Sequence, residues 1–134
     1  MQSAEFSVHT GDRECVVDVT GHAADFVSGL GDGLLNVFVP HATAGLAILE
    51  LGSGSDVDLL EALGRLLPVD GNYRHRHGAE GHGRSHVMPA LIAPSVVVPV
   101  VDGRLTIGTW QSLALVDLNV DNPSRSIRLT FVEA

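Results

Sequence analysis

Only one cysteine, Cys15, occurs among the 134 residues. No internal disulfide can form, so nothing points to an oxidising compartment. Aromatic residues make up 4% of the chain, which leaves Val, Leu, Ile and Ala to fill any core. Basic residues are few, with 8 Lys plus Arg against 16 Asp plus Glu and a formal net charge of -8. A surface of that sign repels phosphate backbones and argues against nucleic acid as a partner. An anionic small molecule stays admissible where Arg, His or a metal reverses the field locally. The first residues, Met1-Gln2-Ser3-Ala4-Glu5, have neither a basic n-region nor an apolar h-region, so they do not read as a signal peptide. No apolar run approaches the roughly 18 residues that span a bilayer. The expectation is a cytoplasmic protein with no membrane partner.

Preset catalytic signatures are also missing. There is no Cys-x-x-Cys, no His-Glu-x-x-His, and no Gly-x-Ser-x-Gly elbow in a strand–helix setting. Gly52-Ser53-Gly54-Ser55 precedes a helix whose free N–H groups could hold an anion, but Asp56 and Asp58 oppose one there.

What is present is a hydrophobic fraction of 45%, enough for one core in a single domain over 1–134. Alternation over Ala4–His9 and the run Cys15–Val19 predict two strands around Thr10-Gly11-Asp12, an opening hairpin. Ala23, Phe26, Val27 and Leu30 have helical spacing. Leu34–Val39 and Leu46–Glu50 read as strands. Ser55 is placed to cap a helix with the stripe Leu59, Leu60, Leu63, Leu66 and Leu67, stopped by Pro68. Residues 69–86 are polar, Gly-rich and His-rich, and read as a loop. Val87–Ile92 suggests a short helical turn. Ser95–Val101 is β-branched, and Asp102-Gly103 predicts a type I′ turn. Leu105–Ile107, Ser112–Leu118 and an alternating segment through Ile127, Leu129 and Phe131 complete the strands. The sum is α+β: an antiparallel β-sandwich with two or three helices packed at one side.

Seven histidines stand out: His9, His22, His41, His75, His77, His82 and His86. Four fall within residues 75–86, where a glycine-flexible loop could converge them on one ion. A solvated, His-rich surface loop is the alternative. His82 and His86 have i,i+4 spacing, although Gly81 and Gly83 weigh against a helix there. His41 and Glu50 sit at strand ends, where a sheet holds side chains rigidly. Trp110, the one tryptophan, lies in Gly108-Thr109-Trp110-Gln111, read either as a bulge seating the indole in the core or as part of a site.

Three blocks carry a resemblance to a known family. Val37-Phe38-Val39-Pro40-His41-Ala42-Thr43-Ala44-Gly45-Leu46-Ala47-Ile48-Leu49-Glu50 resembles the first block of the YjbQ-like family. Tyr73-Arg74-His75 with Ser85-His86 resembles the second, and Gly103–Gln111 resembles its "GxLxLGTWQ" block. The resemblance implies a homotrimer with pockets near subunit interfaces and a secondary thiamine-phosphate synthase activity. That reaction joins a pyrimidine methyl diphosphate to a thiazole phosphate and releases pyrophosphate. The block histidines fall on His41, His75 and His86, with Glu50 and Gln111 nearby. His82 and Arg84 depart from the family pattern and make the pocket more cationic.

The resulting expectation is a metal-assisted enzyme acting on a small phosphorylated molecule. His41, His75 and His86 hold a divalent ion, Zn²⁺ first, with Mn²⁺, Ni²⁺ or Mg²⁺ as alternatives. Glu50, His82, Arg84 and Gln111 supply the catalytic groups. The competing readings are a metal-dependent phosphohydrolase and a non-catalytic trimer that binds a metal or metabolite.

Overall fold

The computed structural model describes all residues, Met1–Ala134. Eight strands form two antiparallel sheets. The larger sheet has the order β1 (Gln2–His9), β8 (Ser124–Glu133), β3 (Gly33–Phe38), β5 (Ser95–Val101) and β6 (Arg104–Leu105). The smaller has the order β2 (Cys15–Asp18), β7 (Ser112–Asp117) and β4 (Ala44–Leu49). Three α-helices join them: α1 (Thr20–Val27), α2 (Ser55–Leu66) and the single turn α3 (His82–Ser85). A 3₁₀ turn covers Met88–Ala90. The fold is therefore α+β. No helix is long and apolar enough to cross a membrane.

The predicted opening hairpin does not form. β1 pairs along its whole length with β8, from Gln2 opposite Phe131 to His9 opposite Ser124. β2 pairs with β7 in the other sheet, Cys15 opposite Asp117. Residues 10–14 carry the chain between sheets, and Thr10 donates its N–H to the Pro123 carbonyl at 2.8 Å to finish the β1–β8 edge.

Alternation explains the packing. Leu35 and Val37 of β3, Val98 and Val100 of β5, and Ile127, Leu129 and Phe131 of β8 point one way. They meet Leu46 of β4, Leu113 and Leu115 of β7, and Ala23 and Val27 of α1 in one core. The other face of the small sheet, with Val116 and nearby Leu118, packs on Leu63 and Leu67 and on Met88. β7 is thus covered on both faces and reads as a nearly continuous apolar run.

Two local expectations differ from the structure, and one of the two readings of Trp110 is excluded. Gly54, at φ 101°, takes the helix N-cap position that Ser55 was expected to fill, and no side chain caps α2. Leu66 is 68% exposed, so the buried stripe runs through Leu63 and Leu67. Trp110 is 73% exposed rather than seated in the core. By contrast, Asp102 (φ 50°) and Gly103 (φ 69°) both adopt the left-handed conformation that a type I′ turn requires.

Candidate functional site

Pro68 ends the α2 segment, and the chain then loops across the end of the small sheet until α3 begins. Gly81 turns it at φ 80° into the single helical turn of α3. A helix forms where the glycines argued against one. Gly83 is needed there, because a Cβ would strike the His75 carbonyl and lie 2.8 Å from Tyr73 Cβ. With α3 helical, His82 and His86 share a face, their Nε2 atoms 3.0 Å apart. The His75 ring stacks on that of His86, centroids 4.1 Å apart. His77 lies against His75 at 4.0 Å and near His82 at 4.9 Å.

His75, His82 and His86 each offer a ring nitrogen, and these atoms lie within 4.8 Å of one another. Nitrogens bound to one ion at about 2.0–2.1 Å stand roughly 3.3 Å apart, so a small closure would complete a three-imidazole set. The His75 Nδ1 is shut off from solvent with no hydrogen-bond partner. A buried orphan nitrogen costs free energy unless something satisfies it. These donors therefore fit a divalent ion of the Zn²⁺ type. Burial, followed by the neighbouring imidazoles, lowers the pKa of both His75 and His86. Both favour the neutral form that a metal requires.

The surroundings of His82 come from the extension of β7. Asp117, Asn119 and Asp121 alternate with Leu118 and Val120. His82 Nδ1 lies 3.2 Å from Asn119 Oδ1 and 3.1 Å from Asp121 Oδ2. That same Asp121 oxygen accepts the Ala79 N–H at 3.0 Å. The Ala79 bond chiefly holds the Asp121 carboxyl below its ordinary range. Beside the histidines opens a polar cleft of about 450 Å³, lined by His75, His77, His82 and Arg76 among 14 residues, of which 3 are hydrophobic.

The predicted site residues divide. His75, His82 and His86 come together. His41 does not join their group, and its Nε2 accepts the Ser126 N–H at 2.9 Å. Arg84 is buried and turned away. Its Nη2 donates to Glu14 Oε2 at 2.7 Å and its Nη1 to the Leu67 carbonyl at 3.2 Å. Gln111 closes its own turn, its Oε1 accepting the Gly108 N–H at 2.7 Å. Glu50 follows β4 at the end where Leu49 pairs with Ser112, whereas Ala44 pairs with Asp117 at the histidine end. Glu50 and Gln111 thus sit about 20 Å along the sheet from that end, at about 3.3 Å per residue. Asn119 and Asp121 went unrecognised in the sequence. Their signal was a period-two row of polar residues continuing an apolar strand.

Comparison with known proteins agrees with this fold. The family described as UPF0047 protein YjbQ-like matches residues 4–134. A UPF0047 protein of Mycobacterium tuberculosis H37Rv is 60% identical over 121 residues, covering 90% of this chain and 91% of that protein. The UPF0047 protein YjbQ of Escherichia coli O157:H7 is 31% identical over 99 residues, covering 73% of this chain and 72% of that one. The crystal structure of a hypothetical protein from Aeropyrum pernix K1 superposes with a TM-score of 0.88 at 34% identity, covering 100% of both chains. A YbjQ-like protein of unknown function from Sulfolobus solfataricus P2 gives 0.91 at 25% identity, covering 99% of this chain and 97% of that one. With a match over nearly its whole length and a relative of such identity, the chain belongs to the UPF0047 YjbQ-like family.

Proposed function

We propose that this protein is a metal-assisted enzyme acting on a small phosphorylated molecule, with condensation of the thiamine-phosphate synthase type as its reaction. The observation that carries the reading is the convergence of His75, His82 and His86 with a buried, unpartnered nitrogen on His75. These three residues hold the ion, Zn²⁺ before Mn²⁺, Ni²⁺ or Mg²⁺, because imidazole suits the first-row metals. When bound, such an ion supplies Lewis-acid polarisation of a phosphoryl oxygen.

The chain's own residues do the rest. The cleft beside the cluster is wide enough for a small polar substrate. Arg76, braced by the Tyr73 carbonyl at 2.8 Å and Asn72 Oδ1 at 2.7 Å, presents a fixed cation to a phosphate. It takes the part expected of Arg84, whose charge is already matched by Glu14. His77, also in the cleft, is positioned to exchange a proton with bound substrate.

Assembly as a homotrimer belongs to the same reading. On the outer face of the large sheet Leu34, Val97, Val101 and Val132 are 48–53% exposed. Contiguous apolar surface of this kind marks an interaction face, and a second and third copy of the chain would cover it.

Elemental analysis tests the metal set. One divalent ion per chain in the wild type, lost in His75→Ala, His82→Ala and His86→Ala but kept in His41→Ala, supports it. An ion that survives His82→Ala and leaves with His41→Ala overturns it. Supplying thiazole phosphate with the pyrimidine diphosphate then separates the chemistries. Coupling supports the synthase reading, and simple phosphate release favours a phosphohydrolase.

A further inference from the structure

We infer that Asp121 is a positioning residue, which fixes the ring tautomer of His82 and the location of the histidine loop through one carboxylate oxygen. The inference rests on the metal reading for its purpose but not for its geometry. Asp121 Oδ2 accepts the Ala79 N–H at 3.0 Å and lies 3.1 Å from His82 Nδ1, two groups from different parts of the chain. Ala79 closes the loop that carries His75 and His77, and His82 opens α3. A single atom beyond the end of β7 therefore joins the two halves of the cluster.

The loop is shaped for this approach. Gly78 has φ 82°, and a Cβ there would stand 2.8 Å from Asp121 Oδ2 and 2.8 Å from His82 Cγ. Any side chain at 78 would push the carboxylate and the imidazole apart. Glycine at this point serves the contact as well as the turn.

An ionised carboxylate only accepts hydrogen bonds. The nitrogen facing Asp121 must then carry the proton, so His82 is the Nδ1–H tautomer. Asn119 Oδ1, 3.2 Å from the same nitrogen, can accept from it too. The lone pair of His82 is left on Nε2, turned toward His86 Nε2 at 3.0 Å. Two lone pairs cannot face each other at that distance, so His86 donates from Nε2–H. Asp121 thus leaves His82 ready to ligate without rearrangement, and the proton to be displaced is the one on His86. Carboxylate partners of metal-bound histidines act in this way, and their removal typically weakens binding 10–100-fold.

The test reads the rings before any metal is added. Long-range ¹H–¹⁵N NMR on the metal-free protein should show His82 as Nδ1–H and His86 as Nε2–H. Asp121→Ala should mix the His82 tautomers. It should also weaken Zn²⁺ binding about 10–100-fold, measured against a chromophoric chelator, with stoichiometry unchanged. Asp121→Asn keeps a neutral acceptor and should retain the tautomer with a smaller loss. A wild-type His82 in the Nε2–H form, or an Asp121→Ala protein with unchanged tautomer and affinity, would overturn the inference. A wild type that takes up no Zn²⁺ while Asp121→Ala still scrambles the tautomer sinks the metal reading and leaves the positioning role supported.

Discussion

Arg125 grips Asp117 at two points in the protein interior, with Nε 2.6 Å from Oδ2 and Nη2 3.0 Å from Oδ1. The Asp117 side chain is fully buried and that of Arg125 is 1% exposed. Nη2 also reaches Thr43 Oγ1 at 2.8 Å, and Asp117 Oδ1 accepts the Asn119 N–H at 2.9 Å. This network ties β4, β7 and β8 together and anchors the polar row that ends at Asp121. Removing one partner strands a buried charge, so Arg125→Ala should lose about 3–5 kcal/mol in urea unfolding. Replacing both charges, as in Asp117→Leu with Arg125→Met, should recover most of that loss. A single variant as stable as the wild type would show that the pair contributes little.

Cys15 faces the same network and is half-buried. Burial first, then the Asp117 charge, raises its pKa from 9.0 to about 11. The thiolate is the reactive species. A two-unit rise leaves roughly 100-fold less of it at neutral pH. Native protein should therefore react with a thiol-specific disulfide reagent about 100 times more slowly than the same chain in denaturant. Equal rates would mean that Cys15 is open to solvent and unshifted.

Elements whose signal is local were legible in the sequence. β5 matched Ser95–Val101 residue for residue, because a β-branched run is bounded by Pro94 and by the Asp102-Gly103 turn. The helical spacing of α2 came through as well, except that Leu66 faces solvent. Strand pairing did not, since alternation says that β1 and β2 are strands and nothing about which strand each will join. α3 was hidden by the low helix propensity of Gly81 and Gly83, which tertiary contact overrode. The family resemblance places His41 with His75 and His86, and nothing in the sequence separates the three. Only the fold shows that the His41 ring accepts the Ser126 N–H and that His82 lies beside His75 and His86.

Stability of the metal-free protein should fall on mild acidification. His41, His75 and His86 have folded-state pKa values below 6.5, with burial the leading cause in each. Between those values and 6.5 the unfolded chain binds more protons than the folded one. Stability is therefore fully present above pH 6.5 and declines as pH drops through the folded values. The melting temperature without metal should be flat from pH 8 to 7 and drop toward pH 5. Saturating Zn²⁺ should offset part of the drop, because the ion binds the neutral rings. A melting temperature that rose on acidification would contradict the direction of these shifts.

Gly83 and Gly64 make a paired test of why glycine stands where it does. Gly64 lies inside α2, and a Cβ there meets nothing within 4 Å. Gly64→Ala should follow helix propensity and stabilise the protein by about 0.5–1 kcal/mol, with Zn²⁺ binding unchanged. Gly83 is also helical, but its added Cβ would strike the His75 carbonyl and crowd Tyr73. Gly83→Ala must move the segment bearing His75 away from α3, so the propensity gain is outweighed. It should cost about 1–3 kcal/mol by overpacking. It should also weaken Zn²⁺ affinity, although residue 83 carries no ligand atom. If both variants were stabilised alike and bound the ion alike, the close seating of His75 on α3 would not be what assembles the cluster.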